Sequence, residues 1–226
     1  MRTRYEESEF IQVKPLGQEV GLSVIMKWLQ LHKRAITSPQ TELVKTALEH
    51  CSLPLYARII CDQIHRWKSF DLPDKLLIES TIQGAINKHF EMMEIKLGKH
   101  IVKHSLSYLT SVRYGISEVE MEHVLSLDDV LLNEVYEYWK PPIRRIPPLL
   151  WSRVRSEISN YIVERSADDL QVLHWYHRQF IETARQRYLT PDENFTVHIH
   201  KTLSDFFSGV WGGGKLKPFQ YTAAQK

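Results

Sequence analysis

Along most of the chain apolar residues recur every three or four positions, the spacing of helices that bury one face. Val20, Val24, Trp28 and Leu31 predict a helix from Leu16 to about Arg34. Ser38-Pro39 then reads as an N-cap followed by proline at the first helical position, opening an amphipathic helix from Pro39 to Glu49 through Leu43, Val44, Ala47 and Leu48. Leu53-Pro54-Leu55 begins a third helix, striped by Leu55, Ile59, Ile60, Ile64 and Trp67. A connection of about three residues forces antiparallel neighbours, so residues 15–72 are expected to form a compact helical bundle.

Ser69 to Pro73 punctuates the chain. Beyond it, Leu76, Leu77, Ile82, Ile86, Phe90, Met93 and Leu97 predict one long helix from Asp74 to Leu97. His100 to Val112 follows with Ile101, Leu106, Tyr108 and Leu109 inward, and Gly115 is expected to be its C-cap. Ser117-Glu118-Val119-Glu120 has the form of a capping box. Asp128 or Asp129 can cap the next helix, which carries Val130, Leu131, Val135, Tyr138 and Trp139 until Pro141-Pro142 stops it. Pro147-Pro148 precedes a helix from Leu149 to Asn160.

The period then changes to that of strands. Tyr161 to Arg165 and Leu170 to Trp175 are β-rich runs joined by Ser166-Ala167-Asp168-Asp169, which is hairpin chemistry. A helix from Tyr176 to about Tyr188 and a last one from Phe195 to Ser208 complete a mainly α chain: a helical bundle, then helices with a small β-hairpin over residues 73–208, as a winged-helix domain requires. Residues 209–226 read as a linker. At the other end, Phe10 to Lys14 alternates as a strand without a partner. Residues 1–14 are therefore read as the remnant of a sheet that the chain does not contain.

Composition narrows the function classes. Twenty-nine Lys and Arg against 27 Asp and Glu leave a net charge of +2, with no basic run to condense on a phosphate backbone or an anionic bilayer. The longest apolar stretches fall far short of the ~20 residues of a membrane span, and the acidic N-terminus is unlike a signal peptide. The expectation is a cytoplasmic protein whose two cysteines, Cys51 and Cys61, are reduced thiols. Gly212-Gly213-Gly214-Lys215 is not a phosphate loop, because the motif's spacing and its following Ser or Thr are missing. Hydrolase and zinc-helix signatures are absent. His100 and His104 share a helical face but have no evident third ligand, and so read as a solvated face; His198 and His200 have the same weakness. Glu91 and Glu94 read as an ordinary exposed pair. No catalytic residue and no metal ligand is assigned. His177, opening a helix directly after a strand, could donate to an anion held at that helix start.

Several blocks resemble a known family. Cys51-Ser52-Leu53-Pro54-Leu55-Tyr56 is similar to the Gly-Leu-Pro-Leu type loop of the helical domain that follows the nucleotide-binding core in signal-transducing STAND ATPases, particularly NACHT and WD-repeat proteins. Ser126 to Asp129, Tyr138 to Pro142, Arg145 to Trp151 and Trp175 to Phe180 look like that family's winged-helix region in order, and His198 through Gly209 like the stretch leading toward its repeats. The resemblance implies that Pro54 packs near an adenine. It also implies that His177 contacts the β-phosphate of ADP and holds a closed, inactive state. ADP or ATP would be shared with an upstream nucleotide-binding core. WD repeats would follow, and the whole protein would form homo-oligomers in signal transduction. These residues contain neither the phosphate loop nor the Mg-binding strand, so the segment itself is expected not to hydrolyse ATP. The rival reading is a winged-helix nucleic-acid-binding module using Arg153, Arg155, Arg178, Arg185 and Arg187; the near-neutral charge speaks against it.

Overall fold

Side chains that cap helices set many of the element boundaries. The computed structural model describes residues 14–138, 145–167 and 170–209. Among these lie ten α-helices and one two-stranded antiparallel sheet. The predicted strand at Phe10–Lys14 falls outside the described residues apart from Lys14, which has no regular structure. The chain divides into two units, residues up to Ile86 and residues from Asn87 onward, with the division inside helix α4.

In the first unit, α1 (Gln18–Leu31), α2 (Ser38–His50) and α3 (Pro54–Ile64) pack together. The cap of α2 is Thr37, one residue earlier than expected. Its hydroxyl accepts from the Gln40 amide while the Gln40 side chain accepts from the Thr37 amide, a complete capping box. The buried face of α1 is Gly21, Ile25 and Leu29, rotated by about one residue from the predicted stripe; Val20 and Leu31 are exposed. Gly21 explains the rotation, since a Cβ there would stand 3.1 Å from the Leu48 side chain, so its lack of one lets α2 approach. The stripe of α3 is buried as expected through Leu55, Ile59, Ile60 and Ile64, while Trp67 lies past the helix end and is half-buried.

The long helix expected from Asp74 starts eight residues later. Pro73–Lys75 forms a single 3-10 turn, and α4 runs Ile82–Leu97. Thr81 makes the difference: its hydroxyl accepts from the Gly84 amide and begins the helix there. Leu77 is consequently exposed, and the Glu79 carbonyl accepts from the Tyr56 hydroxyl instead of entering a helix.

The second unit is built around α5 (Lys99–Ser111), which is buried on nearly every side and packs on α6 (Glu118–Leu127), α7 (Asp129–Val135), α8 (Pro148–Ile158), α9 (Arg178–Ala184) and α10 (Glu193–Ser208). The Ser117–Glu120 capping box is present. Helix α7 ends at Val135, before the prolines, and Val130 and Tyr138, expected inward, are exposed; Trp139 and Pro141-Pro142 lie outside the described residues. On α10, Leu203 and Phe206 are buried but Val197 and Phe207 face water.

β1 (Ile162–Ala167) pairs with β2 (Leu170–Trp175) from Ile162↔Trp175 to Ala167↔Leu170, so only residues 168 and 169, outside the described residues, intervene. Ile116 adds a third rung by exchanging backbone hydrogen bonds with Leu173. Gly115 serves this rung and not the helix end, whose cap is Val112. Its φ is +90°, and a Cβ would lie 2.5 Å from the His174 ring. Phe180 stacks between Tyr161 and Trp175, with ring centroids 4.6 and 5.4 Å away, and Trp175 donates to Thr110 on α5 at 3.0 Å. These contacts fasten the hairpin and α9 to the central helix.

Candidate functional site

His177 precedes α9 as its N-cap, in an extended conformation that follows directly from β2. Its Nδ1 accepts from the Gln179 amide at 3.2 Å. A neutral imidazole that accepts at Nδ1 carries its proton on Nε2, so the ring nitrogen remote from the helix is a hydrogen-bond donor. The side chain is half-buried, and the Tyr176 ring lies beside it at 5.8 Å between centroids. Arg178, the next residue, points to Glu182 at 2.7 Å.

Pro54 is the first residue of α3, where a missing amide proton has no cost, and it is exposed. The loop before it is fixed by the Leu16 amide, which donates to the Ser52 carbonyl at 2.9 Å. Pro54 belongs to the first unit and His177 to the second. Cys61 is buried and Cys51 half-buried, both as free thiols; burial pushes the Cys61 thiol up to about 11.

A second constellation was not expected from the sequence. Asp128, fully buried, caps α7 through Oδ1, which accepts from the Val130 and Leu131 amides at 3.1 Å each. The same oxygen accepts from His198 Nε2 of α10 at 2.9 Å. Oδ2 accepts from His104 Nδ1 at 2.6 Å and from the Tyr108 hydroxyl at 2.5 Å, both on α5. Burial alone would raise the Asp128 pKa, but the hydrogen bonds from His104 and His198 outweigh it and hold the carboxyl far below its usual range. The same bond to Asp128 raises the His198 pKa against the opposing effect of its partial burial.

The reading of His104 as a solvated residue is thus corrected: it is 2% exposed, and its partner is the aspartate 24 residues on. His100, one turn away, is exposed and pairs with Glu134 at 2.5 Å. His104, Asp128 and His198 can each offer a metal-ligand atom, all within 4.8 Å of one another. Their contacts are those of hydrogen bonds, however. Two ligands 2.0–2.1 Å from a tetrahedral ion would stand roughly 3.3 Å apart, and five donors already fill both carboxylate oxygens. The cluster is a junction that ties α5, α7 and α10 together.

Glu94 is likewise engaged, not the ordinary exposed acid expected. Arg187 grips it with two bonds of 2.9 Å and the Tyr188 hydroxyl donates to it at 2.6 Å. Burial would raise its pKa, but these bonds hold it below the ordinary value. Arg187 reaches Glu94 from Arg185–Leu189, a π turn that continues α9 where an ordinary helix was expected.

A hairpin buttressed by a helical core, with a short third rung ahead of it, defines a winged helix-turn-helix protein. The sequence model of the NWD1-like winged helix-turn-helix domain matches residues 75–196, and the chain belongs to this family. It is 35% identical over 219 residues to human NACHT domain- and WD repeat-containing protein 1, covering 96% of this chain and 14% of that protein. Human NACHT and WD repeat domain-containing protein 2 is 32% identical over 217 residues, covering 95% of this chain and 12% of its own length. The chain thus spans about a seventh or an eighth of the relatives it matches. No solved structure matches it.

Proposed function

We propose that this chain is the regulatory segment of a NACHT-type ATPase, in which the helical bundle and winged helix close over ADP supplied by an upstream nucleotide-binding core and open on exchange. Opening would permit homo-oligomerisation and signalling, with WD repeats downstream. The relatives' names carry the NACHT and WD-repeat context. The observation that carries the site is the His177 cap. Because Nδ1 is occupied by the Gln179 amide, Nε2–H is left as a donor suited to a phosphate oxygen. Pro54, exposed at the head of α3, would flank the adenine, and the joint between closed and open forms would lie in Ser69–Asp74.

The nucleic-acid reading gains nothing from the structure. Arg155 is paired with Glu118 and Glu164, Arg178 with Glu182, and Arg187 with Glu94. The test is the nucleotide that the full-length protein retains on purification. ADP retained by the native protein and lost from His177→Ala supports the switch; equal retention removes His177 from it.

A further inference from the structure

In the second unit, the wing hairpin, the start of α6 and the last turn of α10 enclose a groove of about 600 Å³. Val119, Leu170 and Phe207 line it with more than half of each side chain exposed, an apolar surface that a water-facing groove does not need. Its rim is acidic. Glu118 and Glu164 share a single guanidinium, that of Arg155, which leaves negative charge in excess, and Glu120 adds to it.

We propose that this groove is the docking site of residues 215–221 of the same chain, Lys215-Leu216-Lys217-Pro218-Phe219-Gln220-Tyr221, which lie outside the described residues and enter here by their sequence alone. Two lysines, Lys215 and Lys217, lie beside three large apolar residues, Leu216, Phe219 and Tyr221, the complement of an acidic rim over an apolar floor. The tether favours the pairing. Phe207 is itself part of the groove, and the eight residues from it to Lys215 reach up to about 26 Å when extended. An intramolecular partner at that reach acts at an effective concentration on the order of millimolar, so weak contacts suffice.

The test uses the whole 226-residue chain with photoreactive benzoylphenylalanine in place of Phe219. Irradiation should give cross-links within one molecule to α6 and β2 near Val119 and Leu170. Glu164→Lys should lower their yield about threefold, the scale of an exposed charge pair, and adding Lys217→Glu in the same chain should restore it. Glu164 is half exposed on β1, so this reversal leaves the core untouched. Cross-links to other surfaces, no cross-links, a yield that ignores the charge reversal, or a yield that rises with protein concentration and so reports a second copy would each overturn the proposal.

Discussion

Asp128 shows how one buried side chain can serve three elements at once. Its carboxylate caps α7 and holds α5 and α10 through His104, Tyr108 and His198. Losing the charge while keeping a capping oxygen, as in Asp128→Asn, leaves buried donors facing a poorer acceptor and should cost about 3 kcal/mol in urea unfolding. The pH dependence has two sides. His198 has a raised folded-state pKa, so its contribution is complete below about pH 6.5 and is lost as pH rises through the folded value. Asp128 has a depressed one, so its contribution is complete above about pH 4 and is lost as pH falls toward its native value. His198→Asn should therefore lower the urea midpoint at pH 6 and much less at pH 9; an equal loss at both would contradict a charged His198. The sequence offers Asp128 or Asp129 as a cap, because a cap is a local pattern, and the structure assigns it to Asp128. The sequence does not show the junction, whose members are separated by 24 and 70 positions and meet only after the helices pack.

At the level of elements, some boundaries set by neighbouring residues were legible, but the equally local caps at Thr37 and Thr81 were not, and neither was a role set by tertiary contact. The Ser117–Glu120 box occurs where the pattern puts it, and so does the hairpin, except that Ser166 and Ala167, expected in the turn, extend β1 by pairing with Gln171 and Leu170. The start of α4 was misplaced because Leu76 and Leu77 continue an apolar rhythm that the Thr81 cap interrupts. Gly115 looked like a helix cap because glycine commonly ends helices, whereas its role depends on His174, 59 residues away. Gly115→Ala should consequently cost more than ~2 kcal/mol in thermal unfolding, through a disfavoured φ and a clash with that ring. Thr37→Ala removes one reciprocal cap on α2 and should cost about 1 kcal/mol. If Gly115→Ala proved the milder of the two, the Ile116–Leu173 rung would not be important to the wing.

For the whole molecule, the boundary between the two compact units falls inside α4, whereas the proposed joint at Ser69–Asp74 lies within the first unit, so the proposed switch requires that unit to rearrange internally. No helix among the described residues is long and apolar enough to cross a membrane. Family membership was legible because it rests on ordered blocks of residues, and the match over residues 75–196 covers most of them. The proposed nucleotide contact rests on less: periodicity sees only a polar helix start at His177, and the structure adds that its Nδ1 accepts from the Gln179 amide. A charge-assisted bond to phosphate is worth roughly 1.5–3 kcal/mol, about tenfold to a hundredfold in a closed–open equilibrium. The most direct measurement is calorimetric titration of ADP into the protein that joins this chain to its upstream nucleotide-binding core, comparing native with His177→Asn. Asparagine keeps an N-cap acceptor for α9, so the comparison isolates the imidazole. ADP should bind tightly to the native protein and at least about tenfold more weakly to His177→Asn; unchanged affinity with α9 intact would contradict a phosphate contact by His177.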